Sequence, residues 1–148
     1  MFSARAILGL LASLTVGVVS SSGASLAGPG GHDLRLINAV KRQDPAAARQ
    51  LIAEGVDVDT RQGDGATALH WAAHRDDLVM AELLLAAGAT ATIANDLGAT
   101  PLQVACATRS GTMVERLVTS GANPNARLLN GETVLMTCAK TGHPLAVR

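Results

Sequence analysis

Residues 65–88 read GATALHWAAHRDDLVMAELLLAAG, and the pattern returns 33 positions later as GATPLQVACATRSGTMVERLVTSG at residues 98–121. A third copy starts at Gly131 and reads GETVLMTCAKTGHPLAVR to residue 148. Self-similarity at a fixed period of a few tens of residues is typical of stacked supersecondary units. The sequence therefore predicts a repeat protein with one structural unit every 33 residues.

Within one copy, the residue types predict two short helices. Thr67 is a good N-cap, because its hydroxyl can accept from the free amides of the first helical turn. The apolar spacing then favours a first helix over about residues 68–75 and a second over about residues 78–86. Gly88 supplies the left-handed residue that commonly ends a helix. Each unit is thus predicted to be two antiparallel helices followed by an extended loop.

One helical pair of this size cannot bury its apolar face alone, so its stability must come from stacking on neighbouring pairs. Apolar residues at matching positions of successive copies should form one buried stripe. Its predicted members are Leu69, Leu84, Leu85, Leu102, Leu117 and Val118. The expected fold class is all-α.

Four stretches carry the most specific signal, namely Thr67-Ala-Leu-His70, Thr100-Pro-Leu-Gln103, Leu84-Leu-Ala-Ala-Gly88-Ala89 and Gly121-Ala-Asn-Pro-Asn-Ala126. They closely resemble the ankyrin repeat, and the likeness covers residues 33–148. It implies an ankyrin-type solenoid of stacked helix-turn-helix repeats with extended loops. By phase, the predicted segments are 33–61 (repeat 1, a polar capping repeat), 62–94 (repeat 2), 95–127 (repeat 3) and 128–148 (repeat 4, incomplete).

The chain departs from the family pattern at several positions. Ala68 and Val134 stand where a proline is usual, and Gln103 replaces the usual histidine. Asp76 and Arg109 occupy the place of a mid-repeat glycine. We expect these residues to weaken individual turns without shifting the register.

Residues 1–27 differ in kind from the repeats. Arg5 precedes an apolar run over residues 6–19, and small residues follow up to Ala27. This order is typical of a secretory signal peptide, and it predicts a periplasmic or secreted protein with residues 28–32 as a flexible lead-in. The alternative is an uncleaved N-terminal membrane anchor.

Repeat 4 has its first helix and only the beginning of a second before residue 148. We expect either a fragment or a natural product that continues with further repeats. An alternative function follows, in which these repeats are the N-terminal ankyrin region of a longer protein whose activity lies beyond residue 148.

Composition argues against several classes of partner. Twelve basic and twelve acidic residues give a formal net charge of zero, so no electrostatic case exists for nucleic acid or an anionic membrane. Trp71 is the single aromatic residue after the signal segment, which argues against a base-stacking surface. The expected partner is another protein, while the oligomeric state stays open.

Two cysteines, Cys106 and Cys138, lie near each other on neighbouring first helices by register. An exported chain could join them in a disulfide. Packed helices lie about 8–10 Å apart, however, whereas a disulfide needs Cα atoms within about 7 Å. We therefore favour two small packing residues, with the disulfide as the alternative.

Residue chemistry gives little support for catalysis or a cofactor. His70 and His74 share one helix face at a spacing that could suit zinc, but the resemblance implies that His70 hydrogen-bonds the turn. His143 follows Cys138 by five residues with no third group to orient it, as a nucleophilic site would require. The sequence predicts a non-enzymatic protein without a cofactor.

The resemblance implies that variable residues on the loop tips and first helices contact a partner protein. The candidates are Asp64, Ala66, His74 and Arg75 in repeat 2, Asp96, Leu97, Ala99 and Thr108 in repeat 3, and Leu129, Asn130 and Lys140 in repeat 4. Two leucines at neighbouring tips could anchor such a partner. We expect Trp71 to be half-buried beneath this face.

Overall fold

A computed structural model describes residues 33–142. The predicted signal peptide and lead-in, and the last six residues of the predicted repeat 4, lie outside the described residues. Seven α-helices occur in the described range. They are α1 (Arg35–Lys41), α2 (Pro45–Ala53), α3 (Ala68–His74), α4 (Leu78–Ala86), α5 (Pro101–Ala107), α6 (Gly111–Thr119) and α7 (Val134–Lys140).

The helices form two layers. The first helices of successive repeats, α1, α3, α5 and α7, pack on one another in chain order, and the second helices α2, α4 and α6 pack in the same order. This arrangement confirms the predicted all-α stack of helical pairs. Within residues 33–142, none of the helices has the length and hydrophobicity that a membrane span requires.

Side-chain caps define where the second helices begin. The carboxylate of Asp77 accepts from the amide of Met80 at 3.0 Å, and Asp44 and Ser110 cap α2 and α6 in the same way. Capping side chains satisfy amides that have no partner inside the helix. These polar residues therefore fix the turn between the two helices of each repeat.

The turn between paired helices needs a left-handed residue even where glycine is absent. Gln43, Asp76 and Arg109 have φ angles of 54°, 54° and 61°, one in each of repeats 1 to 3. The left-handed conformation costs a non-glycine residue roughly 1–2 kcal/mol. Asp76 and Arg109 thus keep the register, as expected, at some cost in stability.

The buried stripe runs through the stack with one exception. Leu69, Leu84, Leu102 and Leu117 are all buried, and Leu85 is partly buried against them. Val118 was predicted to belong to the stripe, but it is 45% exposed. The prediction was wrong because the residue after Leu117 lies about a quarter of a turn further around α6, on the solvent side.

The expectation that Cys106 and Cys138 are separate packing residues was also wrong. The structure joins them in a disulfide, with Cα atoms 4.6 Å apart. The expectation used the spacing between helix axes, but Cα atoms lie about 2.3 Å off the axis. Because the two cysteines sit on facing sides of α5 and α7, their Cα atoms are closer than the axes are.

Candidate functional site

The loop tips of neighbouring repeats are joined by a short ladder of backbone hydrogen bonds. The amide of Asp96 donates to the carbonyl of Asp64 at 3.0 Å, and the amide of Leu129 donates to the carbonyl of Leu97 at 3.1 Å. The two bonds occupy the same place in successive repeats. The tips therefore form one continuous edge beside the first helices.

Glycine at position 98 permits this close approach. Its φ angle is +82°, and a Cβ atom there would lie 3.0 Å from the amide nitrogen of Leu129. A side chain at this position would meet both a conformational cost and a neighbouring backbone.

Two leucines stand out along the edge. The side chain of Leu97 is 70% exposed and that of Leu129 is 79% exposed, although both belong to an ordered hydrogen-bonded tip. Asp64, Asp96 and Asn130 are exposed beside them. The edge thus places two exposed apolar side chains among polar neighbours.

A shallow cleft of about 190 Å³ lies between the loop tip of repeat 2 and helices α3 and α5. We call it the concave cleft. Its lining includes Asp64, Ala66, His70, Trp71, His74 and Val104. The cleft places the exposed side of the first helices directly beside the loop tips.

Trp71 is half-buried at the wall of the concave cleft, as the sequence predicted. Its indole nitrogen donates to the side-chain oxygen of Gln62 at 3.2 Å, and the Nζ of Lys41 lies 4.4 Å from its ring centroid. The imidazole of His74 meets the ring edge-on at 5.8 Å between centroids. These contacts hold the indole in one orientation, so an aromatic surface is preformed.

Sequence reasoning missed Lys41 and Gln62 as parts of this surface. Both lie upstream of the Gly-x-Thr motif of repeat 2, and Nζ of Lys41 also donates to Gln62 at 2.8 Å. Their role depends on how repeat 1 docks on repeat 2. Register could have placed Lys41 on this surface, because it precedes His74 by one repeat period and is therefore its equivalent in repeat 1.

His70 has a structural role. The amide of Thr67 donates to its Nδ1 at 3.1 Å, and its Nε2 lies 2.9 Å from the carbonyl oxygen of Ala99. Because the carbonyl oxygen of Ala99 only accepts, Nε2 carries a proton. Because Nδ1 accepts from the amide of Thr67, it carries none, and the ring is neutral. Burial lowers the pKa of His70 below its ordinary 6.5, while the bond to Ala99 opposes that shift.

These bonds argue against a zinc site that uses His70 and His74. Both ring nitrogens of His70 are already engaged, and His74 is exposed with its ring against Trp71. Within the described residues, no group of three or more potential ligands lies together.

Ala66, one of the predicted contact residues, lines the concave cleft but is only 6% exposed. Its backbone is bonded on both sides. The amide donates to the carboxylate of Asp64 at 3.0 Å, and the carbonyl accepts from the amide of Gln62 at 2.9 Å. The first of these bonds also lowers the pKa of Asp64, which keeps that exposed carboxylate ionised.

The remaining candidates differ in how free they are to contact a partner. His74 and Arg75 are exposed at the end of α3, while Ala99 is partly buried and bonds His70 through its carbonyl. Thr108 is exposed, but its hydroxyl donates to the carbonyl of Ala105 at 3.1 Å.

Lys140 forms an ion pair with Glu132 at 3.0 Å. The Lys140 ammonium lowers the pKa of that carboxyl, and Thr137 adds to the effect. Among the predicted contact residues, those that are exposed at the loop tips and at the end of α3 are Asp64, Asp96, Leu97, Leu129, Asn130, His74 and Arg75.

Comparison with known protein families gives a match. A family model described as ankyrin repeats (3 copies) matches residues 36–127, which is more than half of the chain. No curated protein matches the sequence. The matched range contains α1 to α6 and the loop tip of Leu97, but not that of Leu129.

Proposed function

Because this chain belongs to the ankyrin repeat family, we propose that it is a non-enzymatic scaffold that binds another protein. Ankyrin repeats generally mediate protein–protein interaction. The contact surface is the concave cleft together with the edge formed by the loop tips. The bound partner is a folded protein or a peptide segment of a protein.

The observation that carries the proposal is the exposure of two leucines on an ordered edge. Leu97 and Leu129 leave most of their side-chain surface in water, while the tips that bear them are joined by a hydrogen bond. Burying a leucine stabilises by about 1.5–3 kcal/mol relative to exposure. A partner that covers both residues gains this free energy, and little conformational entropy of the loop is lost because its tip is already hydrogen-bonded.

Trp71 is the second anchor. Tryptophan is enriched among the residues that dominate binding energies at protein interfaces. Here Gln62 and Lys41 hold the indole at the cleft wall, so little side-chain freedom is lost when a partner docks. The exposed His74 and Asp64 flank it and supply polar contacts.

A capture experiment with matched variants tests the proposal. Purified wild-type protein and the Leu97→Asp/Leu129→Asp variant serve as bait in a periplasmic or culture-medium extract, with quantitative mass spectrometry of the bound fraction. The control is Val79→Asp/Val118→Asp, since both valines are exposed on the second helices α4 and α6. Loss of one protein with the leucine variant and its retention with the control is the expected result.

Equal recovery of every protein with all three baits contradicts the proposal. Circular dichroism checks that each variant is folded like the wild type. We expect no difference, because substitution of exposed residues changes stability by about 0.5 kcal/mol or less.

Export is the second part of the proposal. It is supported by the charged, apolar and small-residue order of residues 1–27 and by the disulfide, since disulfides persist in oxidising compartments. Mass spectrometry of the protein from the producing cell tests it. An N-terminus near Ser25 or Gly28 is expected, and a full-length cytoplasmic product beginning at Met1 contradicts export.

A further inference from the structure

We propose that the Cys106–Cys138 disulfide is a redox-sensitive clasp, which holds repeat 4 on repeat 3 and keeps the Leu97 and Leu129 tips together. The inference concerns regulation of the surface described above and therefore rests on the proposed function. It begins from an asymmetry between the helices of the first layer.

Helix α7 is covered on one side only within the described residues. Leu135 is 56% exposed, whereas its equivalents in the preceding repeats, Leu69 and Leu102, are buried. Met136 on the same helix is also exposed. In the described range α7 has no second helix packed behind it.

The contacts between α5 and α7 are both apolar and polar, since Val134 of α7 is buried in the same core cluster as Leu102 of α5. The hydroxyl of Thr141 donates to the carbonyl of Cys106 at 2.9 Å, and the side-chain amide of Gln103 donates to Thr137 at 3.0 Å. The same Gln103 leaves its buried oxygen without a partner. A buried polar atom without a partner is costly, so this contact is a weak point of the interface.

The disulfide is the covalent link at the same place. Cys106 and Cys138 are both buried, and their bond closes a loop of sequence separation 32 that contains α6 and the Leu129 tip. Closing such a loop restricts the unfolded or detached ensemble and so favours the docked state. Of the contacts that fix α7, this is the one that a change of redox environment can remove.

The redox step balances with a dithiol as reductant. A thiolate of the dithiol attacks one protein sulfur, the S–S bond breaks, and the other protein sulfur leaves and takes up a proton. The second thiol of the reductant then attacks the mixed disulfide and releases the first cysteine as a thiol. The protein gains two electrons and two protons, and the dithiol becomes a disulfide.

Burial of both sulfurs means that attack requires α7 to lift away from α5 first. Proteins open locally at a lower free energy than global unfolding requires. Once reduced, α7 is held by its polar bonds to α5 and by the buried Val134, so the tip of Leu129 parts more readily from that of Leu97.

Amide hydrogen exchange measured residue by residue by NMR tests the clasp without any partner protein. The reporter is the amide of Leu129, which donates to the carbonyl of Leu97. The matched control is the amide of Asp96, which makes the equivalent bond to Asp64 one repeat earlier. Exchange is followed in the oxidised chain, after dithiothreitol, and in Cys106→Ala/Cys138→Ala.

We expect reduction to speed exchange at Leu129 and in α7 about tenfold or more, with Asp96 unchanged. The double-alanine variant should match the reduced chain with or without dithiothreitol. Unchanged exchange at Leu129 on reduction overturns the clasp, as does a chain in which dithiothreitol liberates no thiols.

Failure of the clasp is distinguishable from failure of the proposed function. Capture of a partner that is lost with Leu97→Asp/Leu129→Asp stands on its own, whatever the exchange rates show. Conversely, the exchange experiment needs only this chain and the reductant.

Discussion

The ring of His70 bonds two repeats at once, with Nε2 at 2.9 Å from the carbonyl oxygen of Ala99 and Nδ1 accepting from its own turn. A neutral imidazole is required for this pair of bonds, because a protonated Nδ1 can no longer accept. His70 therefore makes the junction between repeats 2 and 3 sensitive to pH.

The first prediction concerns that sensitivity. Burial lowers the pKa of His70 in the folded chain below the ordinary value of 6.5. In the window between these two values the unfolded chain binds more protons, so the free energy of unfolding rises with pH. Its contribution is complete above about pH 6.5 and is lost as pH falls through the window.

Urea unfolding at pH values from about 7.5 to about 5.5 measures this slope. His70→Gln should remove much of the slope and also lower stability by about 1–3 kcal/mol at neutral pH through lost hydrogen bonds. His74→Gln is the control, since that ring is exposed. A slope that survives in His70→Gln would show that another group carries it.

The second prediction concerns Gln103, which occupies the place of His70 in repeat 3. Its side-chain oxygen is buried without a partner, whereas His70 satisfies both of its nitrogens. Gln103→His should let the ring bond the amide of Thr100 and the carbonyl of Glu132, the positions equivalent to those used by His70.

We expect Gln103→His to raise the free energy of unfolding by about 1 kcal/mol. Val104→His, one residue along and facing the concave cleft, should bring no such gain. Chemical denaturation of wild type, Gln103→His and Val104→His measures the free energy of unfolding. A Gln103→His chain that is no more stable than wild type contradicts the prediction that histidine satisfies this site better than glutamine.

The third prediction tests how closely the loop tips pack. Gly98 and Gly88 have similar φ angles of +82° and +93°, but a Cβ at Gly98 would meet the backbone of Leu129 and one at Gly88 would meet nothing within 4 Å. Gly88→Ala should cost about 1–2 kcal/mol for the left-handed conformation. Gly98→Ala should cost a further 1–3 kcal/mol, roughly, for the contact.

Thermal and urea unfolding of the two variants give the difference directly. Equal losses would mean that the neighbouring loop yields to a methyl group, and the ladder between Leu97 and Leu129 would then be loose.

The fourth prediction concerns the core stripe. Leu84 is fully buried in the middle of the stack, so Leu84→Ala should lower the free energy of unfolding by about 2–5 kcal/mol. Val118→Ala is the contrast, because that residue is largely exposed, and it should cost about 0.5 kcal/mol or less. Denaturation curves with similar midpoints for both variants would be incompatible with this stripe.

Much of the fold could be predicted from the sequence because the same capping, apolar and helix-ending residues recur at a fixed period. The spacing of Thr67, Leu69 and Gly88 predicted both helices of repeat 2, and the structure ends the first at His74 and the second at Ala86. The resemblance to the ankyrin repeat placed Asp76 and Arg109 where a glycine is usual, and both residues have left-handed φ angles.

Features that depend on distances between repeats could not be read in this way. Ala66 resembles a surface residue in sequence, but it is only 6% exposed in the structure. The facing positions of Cys106 and Cys138, and the approach of Lys41 to Trp71, follow from the close packing of first helices. A periodic pattern fixes which residues are equivalent, and packing then decides which of them touch.

Site-specific photo-cross-linking in the producing cell shows which face of the stack contacts a partner protein. A benzophenone amino acid replaces Leu97 or Leu129 at the loop tips, or Val79 or Val118 on the second helices. All four positions are exposed and apolar, so they differ chiefly in the face they occupy. If the loop tips bind the partner, we expect positions 97 and 129 both to form an adduct with the same protein. Positions 79 and 118 should form none. Adducts formed equally from all four positions, or only from the second helices, would contradict it.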